Sequence, residues 1–348
     1  MQPIPQSIAS AGLLAHVLVS KYADHLPLYR QERIFQRMDI DIPRSTLCHW
    51  VIKSAELLAP LVNRLHEKIL QYDVSYADET PVQVLKEKDR KPETKSYMWF
   101  FSGGQPQERA SIYQYHPTRS GSVPNVFFTN YRGYLHCDGY AGYDHLFTRP
   151  DIVGVGCWAH ARRYFVQAQQ QAKDIPGLST TVLNEIQKLY FLEKQAKENC
   201  YSKKQHHQLR QEKAIPILNS LKLLLEDNIL KTPPESPIRK AIAYTLGQWP
   251  KLMRYVDDAR LEIDNNFSER AMKDFAIGRK NWLFSDNPKG AHASATIYSL
   301  IQTCKIHRVE PYAYLKYVLA TIPSTLNKNI DSLLPFNCSS DILFKQYR

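Results

Sequence analysis

Residues 261–284, with the sequence LEIDNNFSERAMKDFAIGRKNWLF, bring together the side-chain types that metal-dependent phosphate chemistry uses. The acid-amide cluster Asp-Asn-Asn at 264–266 comes shortly before Glu269 and Arg270. Further basic and aromatic side chains follow at Lys273, Arg279, Lys280 and Trp282. A carboxylate among so many cations indicates a site for a metal ion and a phosphate rather than a solvated helix face.

Two further acids lie far upstream, each in a strand-like setting. Asp78 follows an alternating stretch that places Val74, Tyr76 and Asp78 on one face of a strand, and we expect the strand to end there. Asp138 follows an apolar stretch and precedes Gly139, which leaves room for close approach of the backbone. For each acid the alternative is an aspartate that only shapes a turn.

As a set, these acids match the needs of phosphodiester chemistry. Carboxylate oxygens suit Mg²⁺, and two ions about 4 Å apart can stabilise both the attacking and the leaving oxygen. Asp78, Asp138 and Glu269, from two strands and a helix, could hold such a pair. Glu262 and Asp264 are alternatives to Glu269 as the third acid, and Asp264 also suits the N-cap of a helix.

The basic residues are candidate DNA contacts. The chain has 45 Lys and Arg against 34 Asp and Glu, a net charge of +11 that favours a polyanionic partner. Phosphate contacts of this type position DNA without reading its sequence, and the alternative for each residue is a solvated basic face. Trp282 could stack on an unpaired base or pack in the core. The candidates are Arg162, Arg163, Arg270, Arg279, Lys280 and Trp282.

The periodicity predicts the elements that must position these residues. Residues 1–71 follow a helical pattern with a break at Ile42-Pro43, and Ser45 or Thr46 is a plausible N-cap for the next helix. This arrangement is helix-turn-helix-like, with simple helix packing as the alternative. Alternating patterns then predict the order β-β-β-α-β-β-α. The predicted strands are 73–78, 97–101, 111–115, 133–138 and 152–155, with helices at 122–131 and through 161–165.

The second half of the chain is predicted to be mainly helical. We divide the sequence into a helical N-terminal region, the first part of a core, an all-helical insertion, the rest of the core with C-terminal helices, and an irregular tail. A Pro-rich break at 232–237 interrupts the insertion. The pattern predicts an α/β fold with a mixed sheet. The segments are 1–71, 72–170, 171–255, 256–322 and 323–348.

Cysteine usage and hydropathy predict the compartment. The six cysteines are scattered without a CxxC pair, which favours a reduced chain. No apolar run is long enough to span a bilayer and no targeting segment is evident, so we expect a cytoplasmic protein. Cys157 and His160 supply only half of a zinc site, which favours a structural or DNA-facing role for them. No Walker-type glycine loop and no GxSxG motif is present.

With these motifs in order, the chain resembles the insertion sequence 66 family of DDE transposases along nearly its whole length. The resemblance continues to a closing LLPFN. So many ordered motifs make a chance match improbable. The motifs are KYADHLPLYRQE, RSTLCHWV, YADETPVQVL, GYLHCDGYAGYDHL, GCWAHARRYF, EIDNNFSERAMKDFAIGRKNWLF and YSLIQTCKIHRVEPYAYLKYVL.

The resemblance implies a ribonuclease H-like catalytic core whose acids fall on Asp78, Asp138 and Glu269. It also implies two Mg²⁺ ions, with Mn²⁺ as a substitute. The expected substrates are the double-stranded DNA of transposon ends and of a target. Cleavage at the ends and strand transfer would require a homo-oligomer on the DNA, together with any accessory proteins of the element.

Family members usually carry an upstream segment, whereas this chain begins almost directly at the KYADHLPLYRQE region. The expectation is therefore a truncated copy. Two alternatives follow from the residues: a catalytically impaired relative that binds DNA without cutting it, or a ribonuclease H-like nuclease that cuts without joining.

Overall fold

A computed structural model describes residues 2–104, 106–173, 175–325 and 327–338. The predicted α/β class is confirmed, and so is the order β-β-β-α-β-β-α in the first half of the chain. The chain divides into two compact units. Unit 1 comprises the described residues up to 132 and from 268 onward, and unit 2 comprises residues 133–267. The five-segment division predicted above stays a prediction.

Unit 1 begins with three helices, α1 (Ala11–Tyr22), α2 (Leu28–Gln36) and α3 (Arg44–Leu70). The prediction of Ser45 or Thr46 as N-cap is wrong, because α3 already begins after Pro43. Pro43 fixes an extended entry, and the backbone N–H of Arg44 donates to Glu32 Oε1 at 2.6 Å. An acid of α2 thus replaces the expected cap, and a DNA-reading role for α2 and α3 stays a prediction.

Three antiparallel strands follow, namely β1 (Val74–Gln83), β2 (Lys95–Gly103) and β3 (Ala110–His116), in the spatial order β3-β2-β1. The prediction that the strand ends at Asp78 is wrong, because β1 continues for five further residues. Pro81 lies within it, opposite Tyr97. Proline can stay in a strand where its missing N–H is not needed by the ladder, so the Pro signal did not terminate β1.

Unit 2 follows α4 (Ser122–Phe127) and contains a short parallel pair, β4 (Gly133–His136) and β5 (Ile152–Val155). The rest of the unit is helical, as the pattern of the insertion predicts. A π-helical turn, Arg210–Ala214, joins the third and fourth of its helices. The helices are α5 (Trp158–Gln171), α6 (Leu178–Glu198), α7 (Lys203–Leu209), α8 (Ile215–Ile229), α9 (Pro237–Gly247) and α10 (Trp249–Met253).

The chain ends with α11 (Asn266–Trp282), α12 (Pro288–Ile306) and α13 (Pro311–Thr321). The predicted irregular tail contains two short 3₁₀ segments, Asn327–Leu333 and Pro335–Asn337, and its residues 339–348 lie outside the described part. None of the described helices combines the length and the apolar character that crossing a bilayer requires.

Helix α12 packs along β3, the end strand of the order β3-β2-β1. Two hydroxyls one helical turn apart, on Ser299 and Thr303, hydrogen-bond to the backbone of β3. The N–H of Tyr113 donates to Ser299 Oγ at 2.8 Å, and that of Ser111 donates to Thr303 Oγ1 at 3.2 Å. Each hydroxyl donates its own hydrogen within α12, Ser299 to the carbonyl of Ala295 at 2.7 Å and Thr303 to that of Ser299 at 2.8 Å. Side chains of a helix therefore complete the hydrogen bonding of β3.

Candidate active site

Asp78 lies in the middle of β1, half-buried, and heads a row of side chains across one face of the sheet. It pairs with Phe100 on β2, which in turn pairs with Tyr113 on β3. Directly opposed residues of antiparallel strands share a face, so the three side chains form one row. Phe100 and Tyr113 meet edge to face at 5.1 Å between ring centroids. The Asp78 Oδ1 atom accepts the backbone N–H of Glu79 at 2.9 Å.

Tyr113 connects this row to α11. Its hydroxyl donates to the carbonyl of Ala271 at 2.7 Å, and its ring stacks on Phe275 at 6.1 Å. Burial raises the pKa of Tyr113 well above its ordinary value, and the charges of Asp274 and Asp78 add to that rise. The sheet face that carries Asp78 is therefore the face that α11 covers. Glu269 lies in the first turn of α11, two residues before Ala271, and is half-buried.

The basic residues of α11 differ in their surroundings. Arg270 and Lys280 are exposed. Arg279 is half-buried, donates to the carbonyl of Pro81 and lies 3.4 Å from Thr80 Oγ1, so it is attached to the second half of β1. Burial lowers the pKa of Arg279. Exposure suits Arg270 and Lys280 to a phosphate contact, whereas Arg279 also supports the fold; DNA contact by all three stays a prediction.

Trp282 closes α11 within an aromatic cluster of unit 1. Its ring lies 5.6 Å from that of Phe275, edge to face, and the ammonium of Lys21 lies 5.6 Å from its centroid. Burial lowers the pKa of Lys21 to about 8. Within the part of the chain that the structure describes, Trp282 therefore packs against other side chains of unit 1. Stacking of Trp282 on a base stays a prediction.

Asp138 follows β4 in unit 2 and is half-buried. Its Oδ1 atom accepts the backbone N–H of Tyr140 at 2.9 Å, which makes the tight turn expected after the strand. Gly139 lies against Tyr244 so closely that an added Cβ would come within 2.7 Å of Tyr244 Cε2. Burial raises the pKa of Tyr244, and the Asp138 charge raises it further. The Asp-Gly pair thus places a carboxylate beside a half-buried tyrosine.

Asp264, one alternative for the third acid, is 6% exposed and uses its carboxylate inside unit 2. It accepts the backbone N–H of Asn266 at 3.0 Å and the Asn266 side-chain amide at 2.6 Å. Burial raises the pKa of Tyr190, and the Asp264 charge raises it further. Asp264 lies one residue before the N-cap position of α11 rather than at it, because the helix begins at Asn266. Its hydrogen bonds nevertheless hold the start of that helix.

Glu262, the other alternative, is half-buried in the irregular segment before α11. Its carbonyl accepts a hydrogen bond from His136 Nε2 at 2.9 Å, so His136 carries its proton on that nitrogen. Burial lowers the pKa of His136 to about 4, although this hydrogen bond and the Asp264 charge oppose the shift. His136 is therefore a neutral donor that holds the backbone at Glu262.

The CxxH pair begins α5. Cys157 is buried, and its Sγ atom accepts the backbone N–H of Asn265 at 3.2 Å. The N–H of Trp158 donates to the carbonyl of Ile263 at 3.2 Å. Cys157 therefore has a structural contact with the segment that precedes α11, and the role predicted for it stays a prediction. His160 is half-buried on the same helix.

Arg162 and Arg163 are exposed on α5 and line a concave surface of about 560 Å³. Side chains from α6 and from the start of α11 complete the surface, including Gln187, Tyr190 and Asn266. Two guanidinium groups beside amide and phenol groups suit a phosphate-bearing ligand. Tyr190 was not singled out in the sequence, since a tyrosine in a charged helical stretch has no distinctive local signal.

The comparison with protein families gives matches along most of the chain. Residues 6–293 match a family model described as Transposase IS66 family, and residues 299–336 match the IS66 C-terminal element. The chain belongs to the IS66 family of transposases. A DDE family of this kind implies dependence on a divalent metal ion.

Two relatives of this IS66 family member come from Sinorhizobium fredii (strain NBRC 101917 / NGR234). The chain is 31% identical to the uncharacterized protein y4qI, over 98% of its own length and 65% of that protein. It is 32% identical to the uncharacterized protein y4jD, over 96% of its own length and 67% of that protein. The chain spans about two thirds of the length of these relatives.

The donor atoms of this IS66 family member fit the implied metal. Asp78 and Glu269 are half-buried carboxylates in unit 1, and Asp138 is a half-buried carboxylate in unit 2. Hard oxygen donors of this kind are what Mg²⁺ prefers. Asp264 fits less well, because two hydrogen bonds already engage its buried carboxylate.

Proposed function

We propose that this chain is a DNA transposase that cleaves phosphodiester bonds at transposon ends and transfers the freed strand into target DNA. Asp78, Asp138 and Glu269 would hold two Mg²⁺ ions, with Mn²⁺ as a substitute. The core would be ribonuclease H-like, and the enzyme would act in the cytoplasm as a homo-oligomer on DNA, with any accessory proteins of its element.

The observation that carries this proposal is the shared face of Asp78 and α11. Asp78 shares its row with Tyr113, and the Tyr113 hydroxyl donates to the carbonyl of Ala271 on α11. These contacts connect the acid of β1 to the helix whose first turn contains Glu269. The engaged carboxylate of Asp264 favours Glu269 over Asp264 as the third acid. Family membership supports the reaction class.

When bound, Mg²⁺ would supply activation of water and stabilisation of charge on the phosphate oxygens. The residues of this chain would hold and orient the reacting groups. The carboxylates would be ionised ligands, while Arg162, Arg163, Arg270, Arg279 and Lys280 would position phosphates. The DNA groove would therefore be basic and the metal ligands acidic, a division of charge that the sequence already shows.

Cleavage of element-end DNA in Mg²⁺ tests the proposal, with gel analysis of both nicked and joined products. Glu269→Gln should abolish cleavage, whereas Glu262→Gln should retain it. The reverse result would transfer the third-acid role to Glu262. Nicked products without joined molecules would identify a nuclease without joining activity, and DNA binding without either product would identify an impaired relative.

Salt dependence tests the basic surface of unit 2 separately. Replacing Arg162 and Arg163 by Ala should weaken DNA binding and make the slope of log K against log salt shallower by about two, one for each lost phosphate contact. Lys188→Ala combined with Lys194→Ala, on exposed positions of α6, is a matched control for charge. An equal change of slope in both double variants would remove the assignment to Arg162 and Arg163.

A further inference from the structure

Arg210 is a buried cation in the helical insertion and is not among the site residues predicted from the sequence. It is 1% exposed and lies at the start of the π-helical turn between α7 and α8. Its Nε atom donates to Glu193 Oε1 at 2.9 Å and its Nη2 atom to Glu193 Oε2 at 2.7 Å. This two-point contact fixes the plane of the guanidinium group.

The remaining N–H groups of Arg210 point to backbone carbonyls of one segment. Nη1 donates to the carbonyls of Tyr255 and Asp258, and Nη2 also donates to that of Leu261 at 2.8 Å. The guanidinium also lies over the Tyr255 ring, 5.0 Å from its centroid. The Arg210 side chain therefore hydrogen-bonds to three backbone carbonyls of the chain between α10 and α11.

Other groups of unit 2 continue this attachment toward α11. His136 holds the carbonyl of Glu262, the N–H of Trp158 holds that of Ile263, and Cys157 accepts the N–H of Asn265. Arg210 binds carbonyls at the start and in the middle of the segment 255–265, and these three contacts hold its last residues. The segment 255–265, which begins within the 3₁₀ turn Arg254–Val256, thus has backbone groups at six positions hydrogen-bonded by other parts of unit 2.

We infer that Arg210, oriented by Glu193, is a positioning residue that fixes the segment 255–265 and with it the first turn of α11. This inference rests on the proposed function, because its consequence is the placement of Glu269. Arginine suits the task, since its five N–H groups in a planar fork can serve one carboxylate and three carbonyls at once, whereas lysine has a single nitrogen.

Glu193 has its own support. His206 Nε2 lies 2.9 Å from Glu193 Oε2. Burial alone would raise the pKa of Glu193, but hydrogen bonds from His206 and Arg210 hold it below its ordinary value. The carboxylate therefore stays ionised beside Arg210, and the guanidinium keeps its orientation.

Hydrogen–deuterium exchange on the free protein tests the inference without DNA, metal or activity. In Arg210→Lys, amides of residues 255–266 should exchange faster by about tenfold or more, while those of β4 and β5 should be unchanged. Lys213→Met, an exposed lysine in the same π-helical turn, is the matched control and should behave like the wild type. Unchanged exchange at 255–266 in Arg210→Lys would overturn the inference.

A second measurement separates positioning from a general loss of fold. In Arg210→Lys the Mg²⁺ concentration for half-maximal cleavage should rise about tenfold, as for residues that orient metal ligands, with affinity for element-end DNA unchanged. An unchanged Mg²⁺ requirement would also overturn the inference, whatever happens to DNA binding, because placement of the metal ligand would then not depend on Arg210.

Two further results decide the inference if Arg210→Lys does not fold or if the wild type does not cleave DNA. If Arg210→Lys does not fold, Glu193→Gln keeps the guanidinium and its carbonyl partners, and it should show the same faster exchange to a smaller degree; wild-type exchange there would refute the role. If the wild type shows no Mg²⁺-dependent cleavage, the proposed function fails, and the exchange result still decides whether Arg210 fixes the segment.

Discussion

The two units position their acidic residues by different physical means. In unit 1, Asp78 lies in a sheet whose neighbouring side chains are aromatic, and apolar packing with one tyrosine hydrogen bond connects that face to α11. In unit 2, the segment before α11 is held by a buried guanidinium, a neutral histidine and a cysteine. Apolar packing tolerates shape-conserving change, whereas a buried polar contact loses heavily when one partner is removed.

The largest effect should be independent of this difference, because the proposed chemistry would need the acids of both units. Asp78→Asn and Asp138→Asn should each lower the cleavage rate by about a thousandfold or more, since each removes a charged metal ligand. The measurement is single-turnover cleavage of element-end DNA. Asp73→Asn, an exposed acid in the approach to β1, should keep wild-type activity; a strong loss there would show that any acid in the region matters.

The next largest effect should come from the buried polar contact between Arg210 and Glu193 in unit 2. Arg210→Met should lower the free energy of unfolding by about 3–5 kcal/mol, because it leaves the carboxylate of Glu193 without its buried partner. Adding Glu193→Gln should recover part of that loss. Urea denaturation of both variants and the single Glu193→Gln completes the cycle. Simple additivity would mean that the two residues do not act as a pair.

Acid should also weaken unit 2 through His136. Its folded pKa of about 4 lies below the ordinary 6.5, so the unfolded chain binds more protons between these values. Stability from this group is complete above pH 6.5 and falls by up to about 3 kcal/mol as the pH drops to 4. Urea denaturation across this range, compared with His136→Gln, should show a flatter dependence in the variant. Parallel curves would contradict the assignment.

A matched pair of substitutions gives the smallest and most direct comparison. Asn266→Ala in unit 2 removes a hydrogen bond to the Asp264 carboxylate and should cost about 2 kcal/mol. Tyr113→Phe in unit 1 removes a hydrogen bond to the Ala271 carbonyl and should cost about 1 kcal/mol. Thermal unfolding of the two variants compares them. Equal losses would remove the proposed distinction between the units.

The sequence predicted the elements well because their signals are local. The strand at 152–155 and the break near 232–237 follow from alternation and from proline, and both are present. Two boundary predictions failed where a tertiary contact replaced a local signal. Glu32 caps α3 from another helix, and β1 continues through Pro81 because the partner strand still pairs with it.

The supports of the site were harder to predict than its acids. Asp78, Asp138 and Glu269 lie in recognisable motifs, and their joint role stays a prediction. Arg210 is one basic residue in a charged helical stretch, and its partners lie 17 to 51 positions away. A signal existed, because Arg210 continues the buried spacing of Ala214, Leu218 and Leu221. A cation at an apolar-face position indicates a buried partner.

The two hydroxyls of α12 beside β3 have a consequence for how copies of the chain can associate. An exposed end strand would offer its backbone to a strand from another molecule, and such pairing promotes aggregation. Ser299 and Thr303 already use the groups at Tyr113 and Ser111. An incoming strand would have to displace α12 first, so we expect any assembly on DNA to use contacts other than sheet extension at β3. An apolar residue at either hydroxyl position would leave a backbone N–H group of β3 without its present partner.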